Sequence, residues 1–284
     1  MREAVVACCQ LPLSVGDIKG NRSAIEAAVN RVASAGADIV VLPELAASGY
    51  RIESHHELDA AGERIDGATM THWHSLAERH GIVIIGGFVE RSDGGRFHNS
   101  AAIVDSTGPL ASYRKAHLWD REPEWFTPGD CQPPVVETRF GKLGLMICFD
   151  LEFPEWTRAA ALHGAQLLCA PVNWPLFGRP PGERPIEIVN VQAAASANRM
   201  YIAACDRTAP ERGTNWLGGS VICDPDGFPL TQIRLGVTTD LAARVDLDQA
   251  REKSLGVRNN VHGDRRPELY GAVTGGPDPT DGPS

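Results

Sequence analysis

Cys148 closes a short apolar run, Leu143-Gly144-Leu145-Met146-Ile147, and Phe149-Asp150-Leu151-Glu152-Phe153-Pro154-Glu155 follows it. The run has the length and side chains of a buried strand, and Pro154 suits the first turn of a helix. A thiol between a strand exit and a helix start sits where open α/β folds carry their chemistry. Backbone N–H groups in such a junction lack strand or helix partners and can face an oxyanion. The same thiol also fits a plain role as a small buried hydrophobe.

Three other stretches hold residues able to assist a thiol. Ile39-Val40-Val41-Leu42-Pro43 delivers Glu44 to the end of an apolar strand. Partial desolvation there raises a carboxyl pKa and suits a base near neutral pH, although a strand-end glutamate can also simply reach solvent. Lys115 follows a turn and lies among Tyr113, Leu118 and Trp119. An ammonium in that apolar setting can hold developing negative charge, or it can snorkel over the aromatic rings. The third stretch, Glu122-Pro123-Glu124-Trp125-Phe126-Thr127-Pro128-Gly129, pairs carboxylates with aromatics in a tightly turned loop. Long loops of this kind are uncommon in compact domains and are often functional, the alternative being an ordinary charged loop.

Several chemistries find no support. His72 and His74 are two apart on a predicted helix, so they diverge and do not chelate one ion. There is no HExxH, no paired CxxC, no P-loop, no GxGxxG and no G-x-S-x-G around Ser220. The net charge is −9, and the 27 lysines and arginines form no block. Nucleic acid and anionic membrane are therefore excluded as expected partners. No apolar run is long enough to span a bilayer, and Met1-Arg2-Glu3 leads straight into a strand with no signal peptide, so a cytoplasmic protein is expected. Seven cysteines without CxxC spacing fit free thiols in a reducing compartment. Adjacent Cys8 and Cys9 should point to opposite faces of one strand.

The elements that must position these residues alternate. Strands are predicted over 4–10, 37–42, 82–88, 101–105, 143–147, 165–172, 200–205, 220–223 and 241–245. Helices are predicted over 21–35, closed by Gly36, over 69–80, closed by Gly81, and over 154–163 and 185–198. Residues 51–66 read as polar loop, and Asp105-Ser106-Thr107-Gly108 and Asp224-Pro225-Asp226-Gly227 as turns. The pattern is α/β, with helices covering sheets. With 284 residues and 43% apolar content, a single domain over 1–270 is expected. Residues 271–284 carry no core-forming pattern and read as a disordered tail.

The ordered set Pro43-Glu44, Arg114-Lys115-Ala116-His117-Leu118 and Gly144-Leu145-Met146-Ile147-Cys148-Phe149-Asp150 resembles the nitrilase superfamily of carbon–nitrogen hydrolases. Phe126-Thr127-Pro128-Gly129-Asp130, Asn198, Gly219-Ser220 and Asp264-Arg265-Arg266-Pro267-Glu268-Leu269-Tyr270 add to it, so the likeness runs over residues 4 to 270. The resemblance implies a four-layer αββα sandwich, a homodimer or higher homo-oligomer, and a site that needs no metal or organic cofactor. It assigns Glu44 as general base, Lys115 as the lysine, Cys148 as nucleophile, and Glu122 as the second glutamate, with Glu124 a weaker claimant. The backbone N–H of Phe149 then joins Lys115 at the oxyanion. One departure is that Arg-Ala-x-Glu-Asn of the family reads Ala194-Ala195-Ser196-Ala197-Asn198 here.

The same likeness narrows the substrate. Nitrilases of the superfamily carry Trp-Glu after the cysteine, whereas Phe149-Asp150 looks like the amidase branches. Leu151-Glu152 supplies none of the basic residues with which N-carbamoyl hydrolases hold a carboxylate. A neutral or basic small carboxamide is expected, with Tyr50, Trp119, Phe149, Asn173 and Trp174 as its pocket. The alternatives are an N-carbamoyl amine or amino-acid hydrolase, a nitrilase, a non-catalytic scaffold of the same fold, and a Cys–His protease, for which no histidine has a matching context.

Overall fold

The computed structural model describes residues 3–275. In chain order the elements are β1 (Glu3–Gln10), α1 (Ile18–Ser34), β2 (Ile39–Val41), α2 (His55–Ala61), α3 (Ala68–His80), β3 (Val83–Arg91), β4 (Phe97–Asp105), β5 (Gly108–Arg114), β6 (Val135–Thr138), β7 (Gly141–Leu145), α4 (Pro154–Leu162), β8 (Leu167–Pro171), α5 (Ile186–Asn198), β9 (Tyr201–Cys205), β10 (Val221–Cys223) and β11 (Thr239–Asp246). Two mixed sheets result, ordered β11-β1-β2-β3-β4-β5 and β10-β9-β8-β7-β6. The central neighbours run parallel: β1, β2 and β3 in the first sheet, and β7, β8 and β9 in the second.

Side-chain alternation builds the layers. In β1, Val6 and Cys8 join the cluster shared with Leu145, Cys169 and Ala203 of the second sheet. Ala7 and Cys9 face the other way, onto Ile25 and Val29 of α1 and Trp73 and Leu76 of α3. The two adjacent cysteines thus point to opposite faces. On the far side, Ala160 and Ala161 of α4 and Ile188, Val191 and Ala195 of α5 cover the second sheet. The order is helices, sheet, sheet, helices, the αββα sandwich that the resemblance implies. Among the described residues no helix is long and apolar enough to cross a membrane.

Three expectations need correction. Residues 51–66 contain α2, which starts on Ser54, whose hydroxyl accepts from the Glu57 backbone N–H at 3.2 Å while Glu57 accepts from Glu53 N–H at 2.9 Å. This reciprocal cap is a start signal, but only Leu58 of the helix is buried, so no apolar periodicity accompanied it. Strands β5 and β6 were not expected, and both are sheet edges. Edge strands half-exposed along their length lack the continuous apolar run of a central strand. Lys115 therefore leaves a strand, not a turn. Finally, residues 271–274 of the expected tail form a single helical turn, α6 (Gly271–Thr274), closed by Gly275 in the left-handed region; residues 276–284 lie outside the described residues.

Two glycines let backbone segments reach the site. A Cβ on Gly87 of β3 would lie 2.3 Å from Leu45 N and 2.9 Å from Glu44 Cα. A Cβ on Gly129 would lie 2.2 Å from the Arg114 carbonyl oxygen. No side chain fits at either position, so each glycine is the condition for close packing beside Glu44 and Lys115.

Candidate active site

Glu44 leaves β2, Asn99 sits in β4 and Lys115 follows β5, so one sheet aims all three at the same point. Lys115 Nζ donates to Glu44 Oε1 and to Glu122 Oε1, each at 2.8 Å. Asn99 Nδ2 donates to the same two oxygens at 2.8 and 3.1 Å. Glu122 Oε1 also accepts from Tyr50 Oη at 2.7 Å, and its Oε2 accepts from Trp119 N–H at 2.9 Å. A short 3-10 turn, Glu122–Glu124, turns Glu122 inward and leaves Glu124 at the surface, paired with Arg121. Glu122 and not Glu124 is therefore the second carboxylate of the cluster.

Cys148 comes from the other sheet. It follows β7 with φ +45°, a left-handed conformation that costs free energy in a residue with a Cβ and that surrounding contacts must hold. Asp150 supplies those contacts. Its wholly buried carboxylate accepts from Ile147 N–H (3.1 Å), His117 N–H (3.1 Å) and Tyr113 Oη (2.8 Å), and pairs with His117 Nδ1 at 2.7 Å. One side chain thus binds the cysteine turn to the segment carrying Lys115. The His117 ring stacks on Phe153 at 3.7 Å.

A cavity of about 250 Å³ opens beside the thiol. Trp119, Phe149, Asn173 and Trp174 line it, and Glu152 and Glu187 line it as well. Tyr50 does not belong to this lining. Its hydroxyl is committed to Glu122 and its ring meets Trp216 edge-on at 5.3 Å, so it braces the carboxylate instead of forming the pocket wall. The Trp174 backbone is held by Asp206, which also accepts from Arg207 and Gly219 N–H groups.

Asn99, Asp150, Asp206 and Glu187 were not singled out from the sequence. Asn99 precedes the predicted strand 101–105, between His98 and Ser100, and no local pattern marks it. Asp150 and Asp206 draw partners from distant elements, His117 and Trp174, as well as from their own turns, and Glu187 is a lone acidic residue at a helix start.

Burial dominates the electrostatics. It pushes Glu44 up to about 7; the Lys115 charge opposes this and the Glu122 charge adds to it. Burial alone would lower Lys115, but the charges of Glu122 and Glu44 outweigh it and hold the ammonium protonated above its ordinary range. The Cys148 thiol is raised by burial and then by the Glu44 charge, so it rests neutral. Glu44 Oε1 is occupied by Lys115 and Asn99. Its Oε2 is buried and has no hydrogen-bond partner among the described residues. The arrangement supplies a neutral thiol, a fixed cation and a carboxyl that titrates near neutrality with one oxygen uncommitted. Among the described residues, no group of three or more histidine, cysteine, aspartate or glutamate side chains could hold a metal ion.

A thiol on a strained turn between stacked sheets, beside a carboxylate–lysine–carboxylate cluster, defines a class of α/β hydrolases. The chain belongs to the carbon–nitrogen hydrolases of the nitrilase superfamily, whose family description, carbon-nitrogen hydrolase, matches residues 5–254. It is similar to a nitrilase of Pyrococcus abyssi, 35% identical over 271 residues covering 93% of this chain and 98% of that protein. It is also similar to an N-carbamoylputrescine amidase of Arabidopsis thaliana, 31% identical over 289 residues covering 95% and 94% of the two chains. Among solved structures, a mutant amidase from Nesterenkonia sp. AN1 carries the acetamide moiety of fluoroacetamide added at its active site cysteine. That structure superposes with a TM-score of 0.77 at 26% identity, over 94% of this chain and 95% of the other.

Proposed function

We infer that the protein is an amidase that hydrolyses small carboxamides to the carboxylic acid and ammonia through a thioester on Cys148. The observation that carries this reading is the buried Glu44 Oε2, uncommitted in a cluster whose charges act on the Cys148 thiol. Glu44 removes the thiol proton as Sγ bonds to the carbonyl carbon. The oxyanion is held by Lys115 Nζ and the Phe149 backbone N–H. Collapse breaks the C–N bond, Glu44 returns its proton to the nitrogen, and ammonia leaves. A water deprotonated by Glu44 then attacks the thioester, the C–S bond breaks, and the acid departs from a restored thiol.

Glu122 is the second glutamate in this reading. Both its oxygens are bonded to protein, so it acts through Lys115 and Glu44 and not on the substrate amide. Asp150 replaces the glutamate of nitrilases and spends its carboxylate on the turn, which favours amide over nitrile chemistry. The similarity to an amidase that takes an adduct on its cysteine supports the same choice.

An ammonia-release screen over aliphatic amides, aromatic amides, carbamoyl compounds and nitriles tests this. Release from amides, abolished in Cys148→Ala, is the expected result. Carbon dioxide accompanying ammonia would move the assignment to carbamoyl compounds, and nitrile turnover without amide turnover would overturn it. Light scattering on the eluting protein tests the homodimer that belongs to the same reading.

A further inference from the structure

We propose that the acyl group of the substrate ends in an ammonium, held by Glu187 with Glu152 beside it. This rests on the reading of the Cys148 cavity as an amide site. Glu187 lines that cavity, is only 8% exposed, and its carboxylate makes no hydrogen bond or ion pair to any described residue. A buried carboxylate without a partner is costly, so Glu187, in the first turn of α5, is placed to take a donor or a cation from whatever fills the cavity. Glu152, exposed in the same lining, accepts from Asn190 Nδ2 and faces the Glu187 charge. None of the residues lining the cavity is a lysine, arginine or histidine.

A second observation points to a polar ligand in the same space. Asn173 is 2% exposed, and both its side-chain Nδ2 and Oδ1 lack hydrogen-bond partners among the described residues. Buried polar atoms are normally satisfied, so this amide is placed for contacts that only a ligand in the cavity supplies. The indoles of Trp119 and Trp174 add faces against which an ammonium gains cation–π attraction. Because ammonia is the leaving group, whatever fills the cavity belongs to the acyl side. A carboxylate there would meet two like charges and no counter-ion; an ammonium relieves both. The same end suits an ω-amino carboxamide or a singly carbamoylated diamine.

The test compares the native full-length protein on three five-carbon amides: δ-aminovaleramide, valeramide and glutaramate, with β-alaninamide and γ-aminobutyramide covering shorter lengths. The expected result is that kcat/KM for the best ammonium amide exceeds that of its neutral counterpart about tenfold or more, the scale of one ion pair of about 1.4 kcal/mol. Glutaramate should be turned over least. Glu187→Gln should cut the ammonium-to-neutral ratio towards unity, and added salt should lower it in the native protein. A mono-carbamoyl diamine run alongside separates the two sources by carbon dioxide release. Equal turnover of valeramide and δ-aminovaleramide, unchanged in Glu187→Gln, overturns the inference while the amidase reading stands. No ammonia from any amide removes both.

Discussion

Replacing Glu44 by glutamine should make the protein inactive and more stable at once. Glu44 is wholly buried, and burial pushes its pKa from an ordinary 4.5 up to about 7. The folded chain therefore keeps a proton that the unfolded chain loses between those values. Stability must fall as pH rises through 4.5 to 7 and level off above, because the ionised form is the one that folding disfavours. At about 1.36 kcal/mol per pKa unit the penalty above pH 7 comes to about 3 kcal/mol. Glutamine cannot ionise, and its carbonyl can still accept from Lys115 and Asn99. Glu44→Gln should thus gain about 3 kcal/mol of unfolding free energy at about pH 8 and nearly nothing at about pH 4. Loss of the base should lower ammonia release by a factor of about 10² to 10⁴. Denaturant unfolding of both proteins across this pH range, with ammonia assays on the same samples, is the measurement. Parallel pH–stability curves, or a variant less stable than wild type at pH 8, would refute the argument that Glu44 carries an under-compensated charge.

Three further outcomes are expected. The acid limb of kcat/KM should have its midpoint near 7, activity rising with pH as Glu44 loses its proton, and a limb near 4 would contradict the burial effect. Lys115→Met should lose about 3–5 kcal/mol of stability in denaturant unfolding, because two buried carboxylates are left without their cation; a loss below about 1 kcal/mol would show that the pair is dispensable. Intact-mass analysis after fluoroacetamide should find one adduct, mapped to Cys148, in both the native protein and Cys131→Ser. Cys131 is the exposed thiol and the other five cysteines are buried, so an adduct confined to Cys131 would mark simple exposure and not catalysis.

The parts of the site legible in the sequence are those announced by local pattern. Ile39-Val40-Val41-Leu42 followed by Pro43 announced that Glu44 ends a buried strand, and the run up to Cys148 did the same for the thiol. Lys115 had only aromatic neighbours to recommend it until the ordered motifs placed it. Glu122 and Glu124 could not be separated, because the phase of a single 3-10 turn decides which one faces inward. Asp150 and Asn99 were opaque for a different reason. Asn99 works through carboxylates 23 and 55 residues away and Asp150 through His117, 33 away, and such distances leave no trace in local periodicity. The edge strands β5 and β6 escaped because half of each faces outward, which dilutes the apolar signal on which strand recognition depends.

Cys148 belongs to one sheet, while Glu44, Asn99 and Lys115 belong to the other. Neither half carries a working catalyst by itself. During synthesis the site is completed only when the two halves dock, after Cys148 has met Lys115, Asn99 and Glu44, made 33, 49 and 104 residues earlier. Until that moment the thiol is an ordinary cysteine without a base, and stray amides meet nothing that can attack them. The rate at which a refolding sample becomes sensitive to fluoroacetamide is accordingly a clock for sheet docking.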